Sequence, residues 1–261
     1  APPAPDYPYF PAYTRRRGRD YVVFTDGSRV LAIDPARVRA GSTSSGVYWK
    51  HPLDRSVLRG VTVQPGAFTR PYAGVALDGD LAFATMYSRL EVRPRDPAGQ
   101  DGFEGLTSIK CIQLQTGLPV WDTDQDSLLA EMKKLPFYEK PFSFSGPPLV
   151  SGDRVFVGVC SSPAGEQEAW VLCLDRGTGR PLWNTPLATL AAAAGGRMAM
   201  FAPRNGALFQ TTLAAQGGAV YAQTNIGAVA SLSAVTGDVL WLSRYPRVGM
   251  RQQQNTGVMD Y

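Results

Sequence analysis

The stretch VLCLDRGTGRPLW, Val171–Trp183, decides the fold. It reads as a strand over Val171–Asp175, a tight turn carrying Thr178-Gly179, and a second strand over Pro181–Leu187 that holds a Trp. Glycine takes φ > 0 without steric cost, and a short hairpin turn often demands that backbone. Two further stretches, CIQLQTGLPVW (Cys111–Trp121) and SLSAVTGDVLW (Ser231–Trp241), share the frame small-x-x-x-x-Thr-Gly-x-x-x-Trp with Cys173–Trp183. A looser fourth copy opens at Ala32-Ile33-Asp34, carries an insertion, and closes at Ser45-Gly46-Val47-Tyr48-Trp49, one residue short of the frame.

The Trp residues that close the four copies, Trp49, Trp121, Trp183 and Trp241, are spaced by 72, 62 and 58 residues. A repeat that long, built from hairpins, holds about four strands with insertions, the size of a propeller blade. The expected fold class is therefore all-β: a β-propeller of four-stranded antiparallel blades, about four of them in this chain, with short helices in the insertions. The blades are placed at 11–53, 72–123, 144–187 and 208–244, inside a repeat region of 11–245. Residues 1–10, Pro-rich, read as an extended arm, and 246–261 read as a tail leading toward a further blade.

Within blades, Asp20–Thr25 and Arg29–Asp34 read as strands joined at Asp26-Gly27, a strong hairpin signal. The run RVFVGVC, Arg154–Cys160, is apolar at successive positions, which predicts a strand covered on both faces. Pro35–Val38 reads as one helical turn, and Ser127–Leu135 as a short helix with Asp126 as its N-cap. An extra strand is expected at Val61–Gln64, and a short helix or collapsed loop at Thr189–Met200.

Composition bounds the function. The net charge is +4 with a pI near 9.0, which fits a solvated surface better than a nucleic-acid-binding one. No run of roughly 18 apolar residues is present, so no transmembrane segment is expected. The single His, His51, leaves no Ser-His-Asp triad and no multi-His metal site. Cys111 and Cys173 fill the same small-residue slot in two repeats, and neither they nor Cys160 has CxxC spacing. They read as buried packing residues.

The frame of Cys173–Trp183, with Asp175 two residues after the small residue, resembles the tryptophan-docking repeat of pyrroloquinoline-quinone-type β-propellers, Ala-x-Asp-x-x-Thr-Gly-x-x-x-Trp. The resemblance covers most of Tyr21–Arg244. It implies that Trp49, Trp121, Trp183 and Trp241 pack across to neighbouring blades. It also implies that Thr116-Gly117, Thr178-Gly179 and Thr236-Gly237 order the hairpins. The Asp slot holds Gln113 in blade two and Ser233 in blade four. Rings of this family have seven or eight blades, so the chain is expected to be half or part of a ring. The remaining blades would come from a second chain, as in a homodimer of half-rings, or from a longer parent protein. Members include quinoprotein dehydrogenases as well as non-enzymatic propellers such as the outer-membrane assembly lipoprotein. The dehydrogenases carry a vicinal Cys-Cys pair and a Ca²⁺ held by carboxylate and amide ligands. No adjacent cysteines and no stretch matching those ligand motifs occur here, so no cofactor and no metal are expected.

Other candidates are few. Asp122-x-Asp124-x-Asp126 has the opening spacing of a calcium loop, but Ser127 and Lys133 stand where that loop needs Gly and Glu. Helix capping accounts for it better. Glu166 and Glu168 read as solvated loop carboxylates. Arg15, Arg16, Arg17 and Arg19 form a basic turn that is either solvated or meets an anionic partner. The expected function leans away from catalysis: a propeller scaffold or binding module for protein–protein interaction, periplasmic or otherwise extracytoplasmic by resemblance. The alternatives are a partial quinoprotein dehydrogenase using the quinone and calcium, and a carbohydrate-binding propeller.

Overall fold

The computed structural model describes residues 11–25, 27, 29–39, 45–51, 73–87, 106–140, 142–161, 167–190 and 211–245. The expected arm at 1–10, the tail at 246–261 and the strand at Val61–Gln64 lie outside them. Four antiparallel sheets of four strands follow one another along the chain. The first holds β1 (Ala12–Arg16), β2 (Arg19–Thr25), β3 (Val30–Ile33) and β4 (Val47–His51). The second holds β5 (Val75–Asp78), β6 (Leu81–Met86), β7 (Ser108–Gln113) and β8 (Pro119–Asp122). The third holds β9 (Phe142–Ser151), β10 (Arg154–Ser161), β11 (Gln167–Asp175) and β12 (Pro181–Leu190). The fourth holds β13 (Thr211–Gln216), β14 (Ala219–Thr224), β15 (Ala228–Ser233) and β16 (Val239–Arg244). Each sheet is a simple meander, and the chain is part of a β-propeller.

The first strands of successive sheets lie side by side. β1 packs on β5, β5 on β9, and β9 on β13, with a parallel bridge between Ala73 and Gly146. They line the common axis, and the fourth strands form the outside. Meander order then puts the first–second and third–fourth hairpins at one rim. The second–third turns and the connections between blades lie at the other rim.

Register shows the blades as copies at single-residue resolution. A cross-strand ladder runs Ala12, Val23, Ala32, Trp49 in blade one and Ala76, Phe83, Cys111, Trp121 in blade two. It runs Leu149, Phe156, Cys173, Trp183 in blade three and Ala214, Tyr221, Ser231, Trp241 in blade four. In every blade the register shifts immediately after the Trp rung, between Ala32/Ile33, Cys111/Ile112, Cys173/Leu174 and Ser231/Leu232. Such a bulge turns the strand and re-aims the residues beyond it.

The core lies between sheets. Val155, Val157 and Val159 of β10 pack with Phe83 and Trp121 of blade two, while Phe156 packs with Val220 of blade four. Both faces of β10 are covered, as its apolar run predicts. Gly158 sits where β10 meets β13: a Cβ there would lie 2.4 Å from the Thr211 Cβ.

Several local expectations need correction. The helix α1 spans Asp126–Met132, and its N-cap is Gln125, which makes no side-chain cap bond. Asp126 instead sits in the first turn, where a carboxylate is favoured by the helix dipole. The helical turn near Asp34 is a 3-10 turn at Pro35–Arg37, capped by Asp34 accepting from the Ala36 N–H at 3.0 Å. Strand β12 continues through Thr189 and Leu190, so the expected helix does not begin there.

Candidate functional site

Three of the four repeat tryptophans rest against the Thr-Gly turn of the next blade. The Trp49 indole N–H donates to the Leu114 carbonyl at 2.6 Å, Trp121 to that of Arg176 at 2.9 Å, and Trp183 to that of Ala234 at 3.3 Å. Those three carbonyls occupy one slot of the repeat, two residues before the Thr. Gly117, Gly179 and Gly237 follow the Thr with φ of 73°, 73° and 78°. A Cβ at any of them would come within 2.7, 2.6 and 2.6 Å of the Trp49, Trp121 and Trp183 indoles respectively. Trp49 and Trp121 are buried and Trp183 is partly buried, but Trp241 is 45% exposed.

The turns hold their shape through the Thr. In blade three the Thr178 hydroxyl and N–H both donate to Asp175 Oδ1 at 2.7 Å. That bond holds the Asp175 carboxyl below its ordinary range despite partial burial. Gln113 and Ser233 replace the Asp but keep its partner: Thr116 Oγ1 donates to Gln113 Oε1 at 2.9 Å, and Thr236 N–H donates to Ser233 Oγ at 3.2 Å. The copies differ in sequence there yet each keeps a bond from the Thr, although in blade four the Thr236 hydroxyl donates to Asp238 instead.

The same rim carries arginines that tie blades together. Arg176 reaches back to Asp78 of blade two at 2.6 Å, and Arg154 donates to the Val235 carbonyl of blade four at 3.3 Å. The basic turn also lies here. Arg17 (φ 49°) and Gly18 (φ 75°) form its two-residue tip. Arg17 pairs with Asp80 of blade two at 3.5 Å, and Arg15 with Asp20 at 3.8 Å. Arg16 and Arg19 are exposed and face each other as a cross-strand pair. Like charges placed opposite each other repel.

At the opposite rim, two ion clusters escaped sequence reasoning. Lys110, itself buried, is paired with Asp122 and lies 3.7 Å from Asp124. The Asp122 and Asp124 spacing is thus occupied by a lysine from the neighbouring strand. Glu168 is not a solvated loop residue. It stands in β11 and accepts from Lys140 at 2.8 Å, Ser161 at 2.8 Å and the Trp170 indole at 3.3 Å. Burial alone would raise the Glu168 carboxyl, but these bonds and the Lys140 charge outweigh it and hold the group below its ordinary value. Glu166 lies outside the described residues. Cys111, Cys160 and Cys173 are buried and free, and burial pushes their thiols up to about 12, 12 and 11.

A family model described as outer membrane protein assembly factor BamB matches residues 106–257, more than half of the chain. The chain belongs to this family. A search of curated proteins found no match. Among solved structures the chain is similar to a quinohemoprotein alcohol dehydrogenase from Pseudomonas putida HK5, with 15% identity and a TM-score of 0.54 over 90% of this chain and 34% of that one. It is similar to a quinohemoprotein alcohol dehydrogenase from Comamonas testosteroni, with 16% identity and a TM-score of 0.52 over 91% of this chain and 35% of that one. It also resembles BamB from Moraxella catarrhalis, with 14% identity and a TM-score of 0.44 over 92% of this chain and 51% of that one. The chain therefore spans about a third to a half of the length of these solved chains.

For this member of the assembly-factor family, the quinone and calcium of the dehydrogenases can be tested against the residues. The three cysteines stand on β7, β10 and β11, so none can form a vicinal pair. Among the described residues no group of three or more His, Cys, Asp or Glu is placed to hold a metal ion. The described residues do not fit that site. None of the described helices is long and apolar enough to cross a membrane.

Proposed function

We propose that this chain is a non-catalytic propeller scaffold that binds a protein partner at the cell envelope. Membership of a family whose model is named for outer-membrane protein assembly carries this reading. The chemistry supports it. Lys110 and Lys140 engage the partly buried carboxylates Asp122 and Glu168. The thiols are buried and held protonated. Groups so engaged are poorly disposed to act as acid, base or nucleophile. On this reading Trp49, Trp121, Trp183 and Trp241, with their Thr-Gly partners, are blade-docking residues that keep the scaffold rigid. Arg16 and Arg19 are the cations offered to an acidic group of the partner, because they are exposed and neither closes an ion pair among the described residues.

The rival reading, a partial dehydrogenase, rests on the fold shared with the quinohemoproteins. One experiment separates the two. The chain is incubated with pyrroloquinoline quinone and Ca²⁺, then assayed for dye-linked oxidation of alcohols and aldoses. In parallel it is cross-linked in envelope fractions. The expected result is no turnover, no quinone absorbance and a discrete protein adduct that weakens in Arg16→Glu/Arg19→Glu. Turnover would replace this reading by the dehydrogenase, and saturable sugar binding without an adduct would replace it by the carbohydrate module.

A further inference from the structure

One rung closes the third–fourth hairpin of every blade. Gln113, Asp175 and Ser233 donate their N–H to the carbonyls of Leu118, Arg180 and Asp238, and Asp34 donates its N–H to that of Gly46 at 2.7 Å. Residues 114–117, 176–179 and 234–237 lie between the partners in blades two to four, but residues 35–45 do in blade one. The described part of that insertion is firmly held. Asp34 accepts from the Ala36 N–H at 3.0 Å and pairs with Arg37 at 3.2 Å. The Arg39 N–H donates to Ser45 Oγ at 2.8 Å. Gly46 (φ 74°) lets the turn lie close to β4: a Cβ there would sit 2.8 Å from the Asp34 carbonyl oxygen.

Between this turn and the β1–β2 hairpin lies a cleft of about 410 Å³, within the size range of ligand sites. Gly18 and Arg19 line it from the hairpin, and Ala36 and Arg37 from the turn. Tyr48 lines it too, as the extra residue of the blade-one bulge, with its ring 4.8 Å from that of Tyr21. The charges around the cleft are not equivalent. Asp34 is engaged by Ala36 and Arg37. Asp20 accepts from the Tyr13 hydroxyl at 2.7 Å and pairs with Arg15 at 3.8 Å. Burial, and then the neighbouring Asp34 carboxylate, raise the Tyr48 hydroxyl above its ordinary value, so it stays a donor. Arg19 alone of the lining charges closes no ion pair among the described residues, and the exposed Arg16 stands across from it.

We propose that this cleft receives the side-chain carboxylate of an acidic residue of the partner, seated on the Arg19 guanidinium with its methylene stem against Ala36 and the Tyr48 ring. The proposal deepens the scaffold reading and rests on it. The planar fork of Arg19 matches a carboxylate with two parallel bonds. A phosphate group fits less well, because it brings more negative charge past Asp20 and Asp34 and has no apolar stem. A chain-terminal carboxylate is captured by a nest of backbone N–H groups. The turn has none to give there, because the Ala36 and Arg37 N–H groups are both bonded to Asp34.

The test is an NMR titration of the isotope-labelled 261-residue chain with four probes. They are acetyl-Ala-Ala-Glu-Ala-Ala-amide, the same peptide with Gln for Glu, acetyl-penta-alanine with a free carboxyl end, and inorganic phosphate. The Glu peptide is expected to shift the Gly18, Arg19 and Ala36 amides saturably, and the other three to bind more weakly. Arg19→Gln should weaken the Glu peptide at least about five-fold. Arg19→Lys should fall between that variant and the parent, because a point charge keeps the attraction and loses the fork. Ala36→Phe fills the cleft, leaves every charge in place and should also weaken binding. Arg19 and Ala36 are exposed, so the melting temperature should hold in all three variants. Equal affinity for the Glu and Gln peptides would overturn the proposal. So would tighter binding of phosphate or of the free carboxyl end, or full affinity in Ala36→Phe, which would put the contact on the open hairpin. An envelope adduct that forms without any peptide shift would remove the cleft and spare the scaffold, whereas quinone turnover would remove the scaffold, so the two fail separately.

Discussion

A glycine next to an indole and a glycine next to solvent make the same backbone demand, and comparing them isolates the packing contribution. Gly179 (φ 73°) and Gly152 (φ 62°) both hold left-handed backbone. At Gly152 a Cβ would meet nothing within 4 Å, whereas at Gly179 it would lie 2.6 Å from the Trp121 ring. Gly152→Ala is expected to cost about 1–2 kcal/mol of strain. Gly179→Ala should lose roughly 1–3 kcal/mol more for the forced displacement of the indole. Urea midpoints of the two variants check this, and equal midpoints would remove the indole from the account. At this scale the sequence was informative where a residue's role is set by its neighbours in the chain. Thr178-Gly179 and Trp183 could be read directly. The replacement of Asp175 by Gln113 and Ser233 looked like drift, because the retained bond to the Thr depends on side-chain reach rather than on residue name.

Elements were legible as far as periodicity reports them. The apolar run of β10 correctly announced two covered faces, and the antiparallel pairing of β2 with β3 was foreseen. The ion clusters were not legible, because their partners come from different elements. Lys110 and Asp122 face each other across β7 and β8, and Glu168 of β11 meets Lys140 from the connection that precedes β9. That second cluster predicts a pH response. The folded Glu168 carboxyl lies below its unfolded value of about 4.5, so its contribution is complete above that pH and fades as the pH falls through the lower folded value. Glu168→Gln should lower the melting temperature near neutral pH and flatten its decline into acid. Parallel acid limbs for the variant and the parent would show that the group does not govern acid stability.

At the scale of the whole molecule each blade touches only its neighbours, so stability is expected to follow nearest-neighbour contacts. Blade three is covered on both faces, while all six residues of β16 in blade four are exposed. Amide exchange is expected to be slowest in β10 and β11 and fastest in β15 and β16. Uniform protection across the blades would mean that the array unfolds as one unit. The repeat made the architecture readable, since four copies of one frame can only stack. It could not place the insertion in the blade-one turn, whose φ-positive glycine, Gly46, stands next to β4 rather than six residues after Ala32.

Docking each indole on the following blade gives the stack a direction, and direction matters during synthesis. The carbonyls that receive Trp49, Trp121 and Trp183 lie 65, 55 and 51 residues downstream. At about 5–20 residues per second, each indole emerges from the ribosome roughly 3–13 s before its cover exists. The growing chain therefore always carries one uncovered aromatic face at its leading end. Holding that face away from other nascent chains is a task for chaperones or for translation speed, and slowing elongation should lengthen the exposure in proportion.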